Sequence, residues 1–400
     1  MTFIPEIDTI FVVILSVYLS FFASINLLML SLGKRKDEEK IKDYNDKVAI
    51  IIPVKDDESI LNSLPYYKNI DYKNYFVVIV DDSDSVEISR KISSECENWE
   101  CIHIIRPKEE RKGRKGAAIN YALDKISNLN PKYVVIMDAD HRPPRDFLKL
   151  GVTLIKEKKV DAVIGYQKHD LGDYGIFGHY YRISQASSIY TLIARHKLNL
   201  TPIFTGSVAI FDYKWLKERR FDETSITEDW ELSLRGYIKG KFTTYVTDKL
   251  YAHCAIPKDI KWFINQQMRW AEGTISDLKK HLISILKDRK ISIKYKIGLL
   301  YQGLLYSQAL VILLSFILYF VFPFPQGLIS VILTVLVAID TISWIGLIIR
   351  GAQVEKMKIN LQLIIFSFMM IYTMSIFYAY STLRGLIFHK GRWIVTKRRS

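Results

Sequence analysis

The chain has 400 residues, 49% of them apolar, and a formal net charge of +14. That apolar content excludes a disordered chain, and three cysteines (Cys96, Cys101 and Cys254) without C-x-x-C spacing exclude a disulfide scaffold and a cysteine zinc site. The surplus of 56 Lys+Arg over 42 Asp+Glu suits nucleic acid or a membrane surface, and the position of the charge separates the two.

No residue from 9 to 33 is charged, a run longer than the roughly 20 residues that span a bilayer core. A cleavable signal peptide starts with a basic region, whereas here Glu6 and Asp8 lead and Lys34, Arg35 and Lys36 follow. Residues 1–33 therefore read as an uncleaved anchor, with the next segment in the cytoplasm. Residues 34–274 have ordinary soluble composition. Short β-branched runs at 48–52, 76–80, 101–105, 133–137 and 160–164 predict strands, and 116–126 and 145–156 predict helices between them. This alternation predicts a mostly parallel sheet covered on both faces.

Residues 275–296 are rich in Lys and Arg, with Ile275, Leu278, Leu282, Ile285 and Leu286 at helical spacing, which predicts a basic amphipathic interfacial helix. Residues 297–339 carry no charge and are interrupted at 323–327 by two prolines and a glycine, a turn between two helices. A third apolar stretch at 359–383 completes a membrane region over 297–388, followed by a basic tail, 389–400. Three full C-terminal spans would leave that tail outside, but its charge favours inside. Either one apolar segment crosses incompletely or the tail breaks the rule. Most of the basic surplus thus flanks membrane segments, which favours a bilayer over nucleic acid as partner.

In open parallel sheets, ligands bind beyond the C-terminal strand ends. Three apolar runs end there in acids: Pro53 leads to Lys55, Asp56 and Asp57; Val80 to Asp81, Asp82, Ser83 and Asp84; Met137 to Asp138, Asp140 and His141. For Asp81 or Ser83 alone, helix capping explains the residue as well as ligand binding does. In an extended backbone Asp138 and Asp140 point to one side, and two hard oxygens beside an imidazole suit Mg2+ or Mn2+. Lys115 lies in a glycine-bearing basic segment that is not a Walker A loop, and no G-x-G-x-x-G follows a strand. Further on come Phe204-Thr205-Gly206-Ser207, Thr227-Glu228-Asp229, and a helical pattern in which Gln266, Arg269 and Trp270 share a face. Taken alone, such a Trp and Arg face reads as a membrane-interface anchor.

In this order and spacing, Asp82, Asp138-Ala-Asp140, Thr227-Glu228-Asp229 and Gln266-x-x-Arg269-Trp270 resemble the membrane-embedded, processive-type glycosyltransferases of family 2, which include cellulose, hyaluronan, chitin and mannan synthases. The segment from Lys115 to Asn120 and residues 204–207 match too, and the likeness covers residues 48–275. It implies an α/β GT-A fold, a mixed, mostly parallel sheet inserted between transmembrane helices, on the cytoplasmic face of the plasma membrane. It implies that Pro53, Asp57, Asp82, Lys115 and Asp138 bind a nucleotide-diphospho-sugar. Asp140, with Asp138 and His141, would hold Mg2+ or Mn2+. Asp229 would be the general base, its carboxyl raised by Glu228, and Gln266, Arg269 and Trp270 would bind diphosphate and acceptor sugar, with Gly206 and Ser207 near the acceptor end. The chain departs from the pattern where Lys55-Asp56-Asp57 replaces Tyr-Asn-Glu and Ser207 replaces a commoner Thr, which bears on donor and acceptor preference.

The implied acceptor is a growing polysaccharide, with single transfer to a lipid or polyprenyl phosphate as the alternative, and accessory export subunits as further partners. A transporter with a regulatory domain is more distant: it predicts acids within the spans, and Asp340 alone interrupts those runs. Cys96 and Cys101 read as reduced thiols, and His253 with Cys254 is too isolated for a metal site. His179, Tyr180, Tyr181 and Arg182 either contact acceptor or form a packed surface helix.

Overall fold

The computed structural model describes residues 5–32, 39–97, 99–172, 175–240, 242–321 and 328–388. Helix α1 (Pro5–Ser31) precedes a domain built from β1 (Val48–Val54), α2 (Ser59–Lys68), β2 (Tyr75–Asp81), α3 (Val86–Glu95), β3 (Cys101–Ile105), α4 (Lys115–Lys125), β4 (Tyr133–Ile136) and α5 (Phe147–Lys158). It continues through β5 (Ala162–Leu171), α6 (Gly175–Leu198), β6 (Ala209–Asp212), α7 (Tyr213–Arg219), α8 (Glu228–Ile238), β7 (Thr244–Ala255) and α9 (Ile260–Lys287). Helices α10 (Ile293–Gly303), α11 (Ser307–Val321), α12 (Leu328–Val354) and α13 (Leu361–Ile387) follow.

The sheet order is β3-β2-β1-β4-β6-β5-β7. Strands β1 to β4 run parallel, β6 is antiparallel to both β4 and β5, and β7 runs parallel to β5. Alternate residues of β1 enter different cores: Ala49 and Ile51 pack with α4 and α8, while Val48, Ile50 and Ile52 pack with α2 and α5. Both faces are covered, so these strands read as unbroken apolar runs. Strand β5 bulges beside β7 at Gly165, where a Cβ would lie 2.2 Å from the Leu250 carbonyl oxygen; only glycine allows that approach.

Three expectations need correction. The turn from α3 to β3 brings the Cα atoms of Cys96 and Cys101 to 5.0 Å, within disulfide reach, and they are bonded, so they are not reduced thiols. Residues 275–296 do not form a separate helix. Residues 275–287 continue α9, and Ile275, Leu278 and Ile285 pack into the domain core, leaving Ile283, Leu286 and Ile293 exposed. The uncharged C-terminal run also bends where no break was expected, between α10 and α11, which meet at 68°. The turn expected at 323–327 and the basic tail expected at 389–400 lie outside the described residues.

The break follows from packing. Gly298 lies so close to Leu200 and Thr201 that a Cβ would sit 2.5 Å from the Leu200 carbonyl. Buried Arg195 binds the carbonyls of Leu200 (3.1 Å), Thr201 (2.5 Å) and Gly298 (3.4 Å) and the Gln302 amide oxygen (2.5 Å). Helix α10 is thereby held on the domain, while α11 turns away.

Among the described residues, three helices are long and apolar enough to cross a membrane: Val12–Ser31, Val331–Val354 and Leu361–Ile387; the bent α10–α11 pair would be a fourth. Buried Asn26 of α1 donates to the Ser343 hydroxyl of α12 (3.0 Å) and accepts from the Tyr301 hydroxyl (2.7 Å), a polar tie among apolar helices.

Candidate functional site

A cavity of about 270 Å³ opens at the C-terminal ends of β1, β2 and β4. Pro53, Asp57 and Asp82 line one end, Lys115 and Asp138 the middle, and Gly206, Glu228, Asp229, Gln266, Arg269 and Trp270 the other. The structure thus gathers the residues singled out from sequence, except that Asp140, His141 and Ser207 stand behind the wall.

At the first end, Asp57 accepts from the Ser59 amide (3.0 Å) and hydroxyl (2.6 Å), so it also secures the start of α2. Asp82 is held bidentately by Arg106 at 2.7 and 2.6 Å, a planar fork that fixes the carboxylate. Arg111 binds the carbonyls of Asp82 (3.1 Å) and Ser83 (2.8 Å). Asp81 turns away into the sheet edge. Burial raises its carboxyl, but hydrogen bonds from His103, Ser83 and Ser89 outweigh that and hold it well below the usual range.

In the middle, strand β4 stops at Ile136, and a turn closed by the His141 amide on the Asp138 carbonyl (3.1 Å) carries the acids. The expected extended Asp138 and Asp140 pair is therefore a turn pair. Lys115, at the start of α4, donates to Asp138 (2.5 Å) and to the Gly206 carbonyl (2.7 Å). Burial lowers its ammonium, but the charges of Asp138 and Glu228 raise it further. Asp140 accepts from the Ala255 amide (2.9 Å) and neighbours His141 Nδ1 (3.1 Å), and His141 Nε2 meets the Ser207 hydroxyl (3.1 Å). Burial pushes His141 down to about 4, so a neutral imidazole stands beside two carboxylates. Ligand atoms of Asp138, Asp140 and His141 lie within 4.8 Å of one another, and this is the one such cluster among the described residues.

At the far end, α8 begins at Glu228, placing Glu228 and Asp229 in its first turn. Asp229 Oδ1 accepts from the Trp230 amide (2.8 Å), and Oδ2 faces Gly206. Both carboxyls are held above the usual range, by burial and, for Glu228, by the Asp229 charge as well. On α9, Gln266 accepts from the Tyr181 hydroxyl (3.1 Å), and the buried Arg269 Nε has no hydrogen-bond partner. A guanidinium with a buried, unmet donor in a pocket wall suits an anionic ligand.

Sequence reasoning missed several residues in or behind the pocket wall. Arg106 follows β3 at the same sheet edge as the acids, and that position was the available signal. Gln167 and His169 alternate at the end of β5, and both line the pocket; Gln167 donates to the Thr205 carbonyl (2.7 Å). The His169 Nδ1 atom is buried without a partner, and its ring meets Tyr181 edge-on at 5.0 Å. Of the α6 residues weighed from sequence, Tyr181 lines the pocket, while Arg182 pairs with Glu355 of the loop after α12.

The chain is similar to "Probable glucomannan 4-beta-mannosyltransferase 14" of Arabidopsis thaliana, 26% identical over 255 residues, 61% of this chain and 47% of that protein. It is also similar to "Glucomannan 4-beta-mannosyltransferase 1" of Oryza sativa subsp. japonica, 25% identical over 252 residues, 61% of this chain and 48% of that one. The matched part spans about half the length of these relatives. Among solved structures, the mannosyltransferase PcManGT from Pyrobaculum calidifontis, determined with GDP-Man and Mn2+, superposes with a TM-score of 0.59 at 18% identity. That match covers 94% of this chain and 99% of the other, and it shows a shared GT-A-type fold. The sequence profile of glycosyl transferase family group 2 matches residues 133–381, more than half of the chain, from the strand before Asp138 through Trp270 into the last apolar helix. The chain belongs to glycosyl transferase family group 2.

Proposed function

We propose that the protein is a membrane-bound inverting transferase that moves mannose from GDP-mannose to a hydroxyl of a growing polysaccharide. The mannose choice rests on the activities for which the relatives and the structural neighbour are named. The observation that carries the reaction class is the opposition inside one cavity of Asp229, with its raised carboxyl, and the cationic Lys115 and Arg269.

Pro53, Asp57 and Asp82 take the nucleoside end, with Arg106 holding Asp82 for a donor on the base or ribose. Asp138, Asp140 and His141 would hold Mg2+ or Mn2+; their clustered oxygens and neutral imidazole fit such an ion, which would neutralise diphosphate charge. Arg269 Nε meets the diphosphate, and Gln266 and Trp270 hold the acceptor sugar against the wall. Gly206 and Ser207 shape the acceptor end. Asp229 takes the proton of the attacking hydroxyl as that oxygen reaches the anomeric carbon opposite the departing diphosphate. Glu228 supports it: one more buried negative charge raises the affinity of the pair for a proton.

The domain faces the cytoplasm, with α1, α12 and α13 in the plasma membrane. A second reading, single transfer to a lipid-linked acceptor, is favoured by one contact: Tyr378 of α13 donates to Gln267 (2.8 Å), next to Gln266, so an apolar span touches the acceptor helix. Purified protein should be given GDP-mannose, UDP-glucose and UDP-GlcNAc with Mg2+ or Mn2+, and nucleotide release and product length measured. Release from GDP-mannose with a long product supports the proposal. A single-sugar lipid product selects the second reading, and no release from any donor overturns both.

A further inference from the structure

Asp277 is a buried acid that the transfer chemistry does not use. It lies on α9, beyond Arg269 and Trp270, and is 6% exposed. Its Oδ2 accepts from the Ser225 hydroxyl (2.7 Å) and the Thr227 hydroxyl (2.8 Å), and Ser225 in turn accepts from the Thr227 amide (3.0 Å). Two further contacts join the same surfaces. The Trp230 indole donates to the Thr274 carbonyl (3.2 Å), and Gly273 lies so close to Thr227 that a Cβ would be 2.6 Å from its side chain.

These bonds change how α8 is capped. Thr227 occupies the N-cap position, where its hydroxyl would ordinarily accept from the Trp230 amide. It makes no such bond; the hydroxyl is turned instead to donate to Asp277. The Trp230 amide is taken instead by Asp229 Oδ1, which leaves Oδ2 facing Gly206 and the pocket. The orientation of Asp229 therefore depends on Thr227 being held out of the capping role.

We infer that Asp277 is a positioning residue for the transfer step: by holding Ser225 and Thr227 it leaves the Trp230 amide to Asp229 and so fixes that α8 carboxylate from α9, the helix that carries Gln266, Arg269 and Trp270. This rests on the transferase reading of Asp229. It makes one helix responsible both for the ligands of the diphosphate and acceptor and for the setting of the base. Without Asp277, Thr227 competes for the Trp230 amide and Asp229 loses its fixed rotamer.

The test uses the full chain with GDP-mannose as donor and GDP as binding probe, and compares Asp277→Ala, Asp277→Asn and Thr227→Val. Wild-type release of GDP is measured first, and its absence would sink the transferase reading itself. Given wild-type turnover, Asp277→Ala should lower kcat about tenfold or more, while the donor KM and the Kd for GDP stay within about twofold. Asparagine keeps an acceptor oxygen for both hydroxyls, so Asp277→Asn should stay within about threefold of wild type. Thr227→Val removes the competing hydroxyl, so adding it to Asp277→Ala should restore much of the lost kcat. Unchanged kcat in Asp277→Ala, an equal fall in Asp277→Asn, or no recovery in the double variant would each overturn the inference. If Asp277→Ala does not fold, Asp277→Leu with and without Thr227→Val decides: a lowered kcat that the second substitution restores supports it, and any other outcome overturns it.

Discussion

At the nucleoside end and in the middle of the pocket, acids meet basic partners: Asp82 has the Arg106 fork and Asp138 has Lys115. At the acceptor end, Glu228 and Asp229 share one buried turn and are pushed towards the protonated form. Both groups line one cavity, and both are singled out from sequence. Their surroundings give them different work: a fixed negative charge suits binding, and a carboxylate with raised proton affinity suits proton transfer near neutrality.

The largest effect expected is loss of that proton acceptor. Asp229→Asn should cut transfer by about 10²–10⁴-fold and leave GDP binding intact, as measured by calorimetry beside turnover. Retained turnover would erase the contrast between the two ends. The same contrast predicts a pH profile. The base works unprotonated, and its folded value is raised, so kcat should fall with acid from a higher pH than an ordinary carboxylate gives. The limb should approach the value of about 7 to which Glu228 is pushed, and it belongs to the pair, not to one residue. A limb near pH 4 would show that the acceptor-end carboxyls are ordinary.

Removing divalent cations with EDTA should lower transfer by about 10²-fold, and Mg2+ or Mn2+ should restore it. Asp140→Asn should blunt that restoration, measured as the metal concentration for half-maximal rate. Gly206→Ala is a milder perturbation. The residue sits at a φ of +88°, and an added Cβ would stand 3.1 Å from Asp229 Oδ2. About 1–2 kcal/mol of backbone strain and a displaced carboxylate should cost about tenfold in kcat.

The parts of this arrangement legible in sequence are those that short-range patterns encode. Strands β1, β2 and β4 are buried on both faces, so composition alone marks them, and acids directly after them mark the ligand edge. Strand β6 has only four residues and pairs antiparallel between two distant partners, a relation no local pattern carries. Strand β7 carries exposed Asp248 and Lys249 and lies at the sheet edge, which masks its apolar half. The apolar stripe of Ile275, Leu278 and Ile285 looks the same whether it faces lipid or a protein core, since both are apolar; the structure resolves it as core. Arg106 and His169 were illegible for another reason: each stands alone in sequence, and only the fold gives it neighbours.

Arg106 also supplies the smallest and most discriminating change. It is 2% exposed, and its fork grips the Asp82 carboxylate from behind. Arg106→Ala leaves a partly buried carboxylate without its donor, so Asp82 should turn towards solvent or bind a proton and present the nucleoside with a disordered acceptor. The step at Asp229 lies at the opposite end of the cavity and keeps its own supports, Gly206 and the Trp230 amide. The donor KM should therefore rise about threefold to tenfold with kcat nearly unchanged, the signature of an interaction made equally in ground and transition states. A fall in kcat at unchanged KM would mean that the two ends are coupled, and that the charge-fixed and proton-accepting halves of the pocket do not act separately.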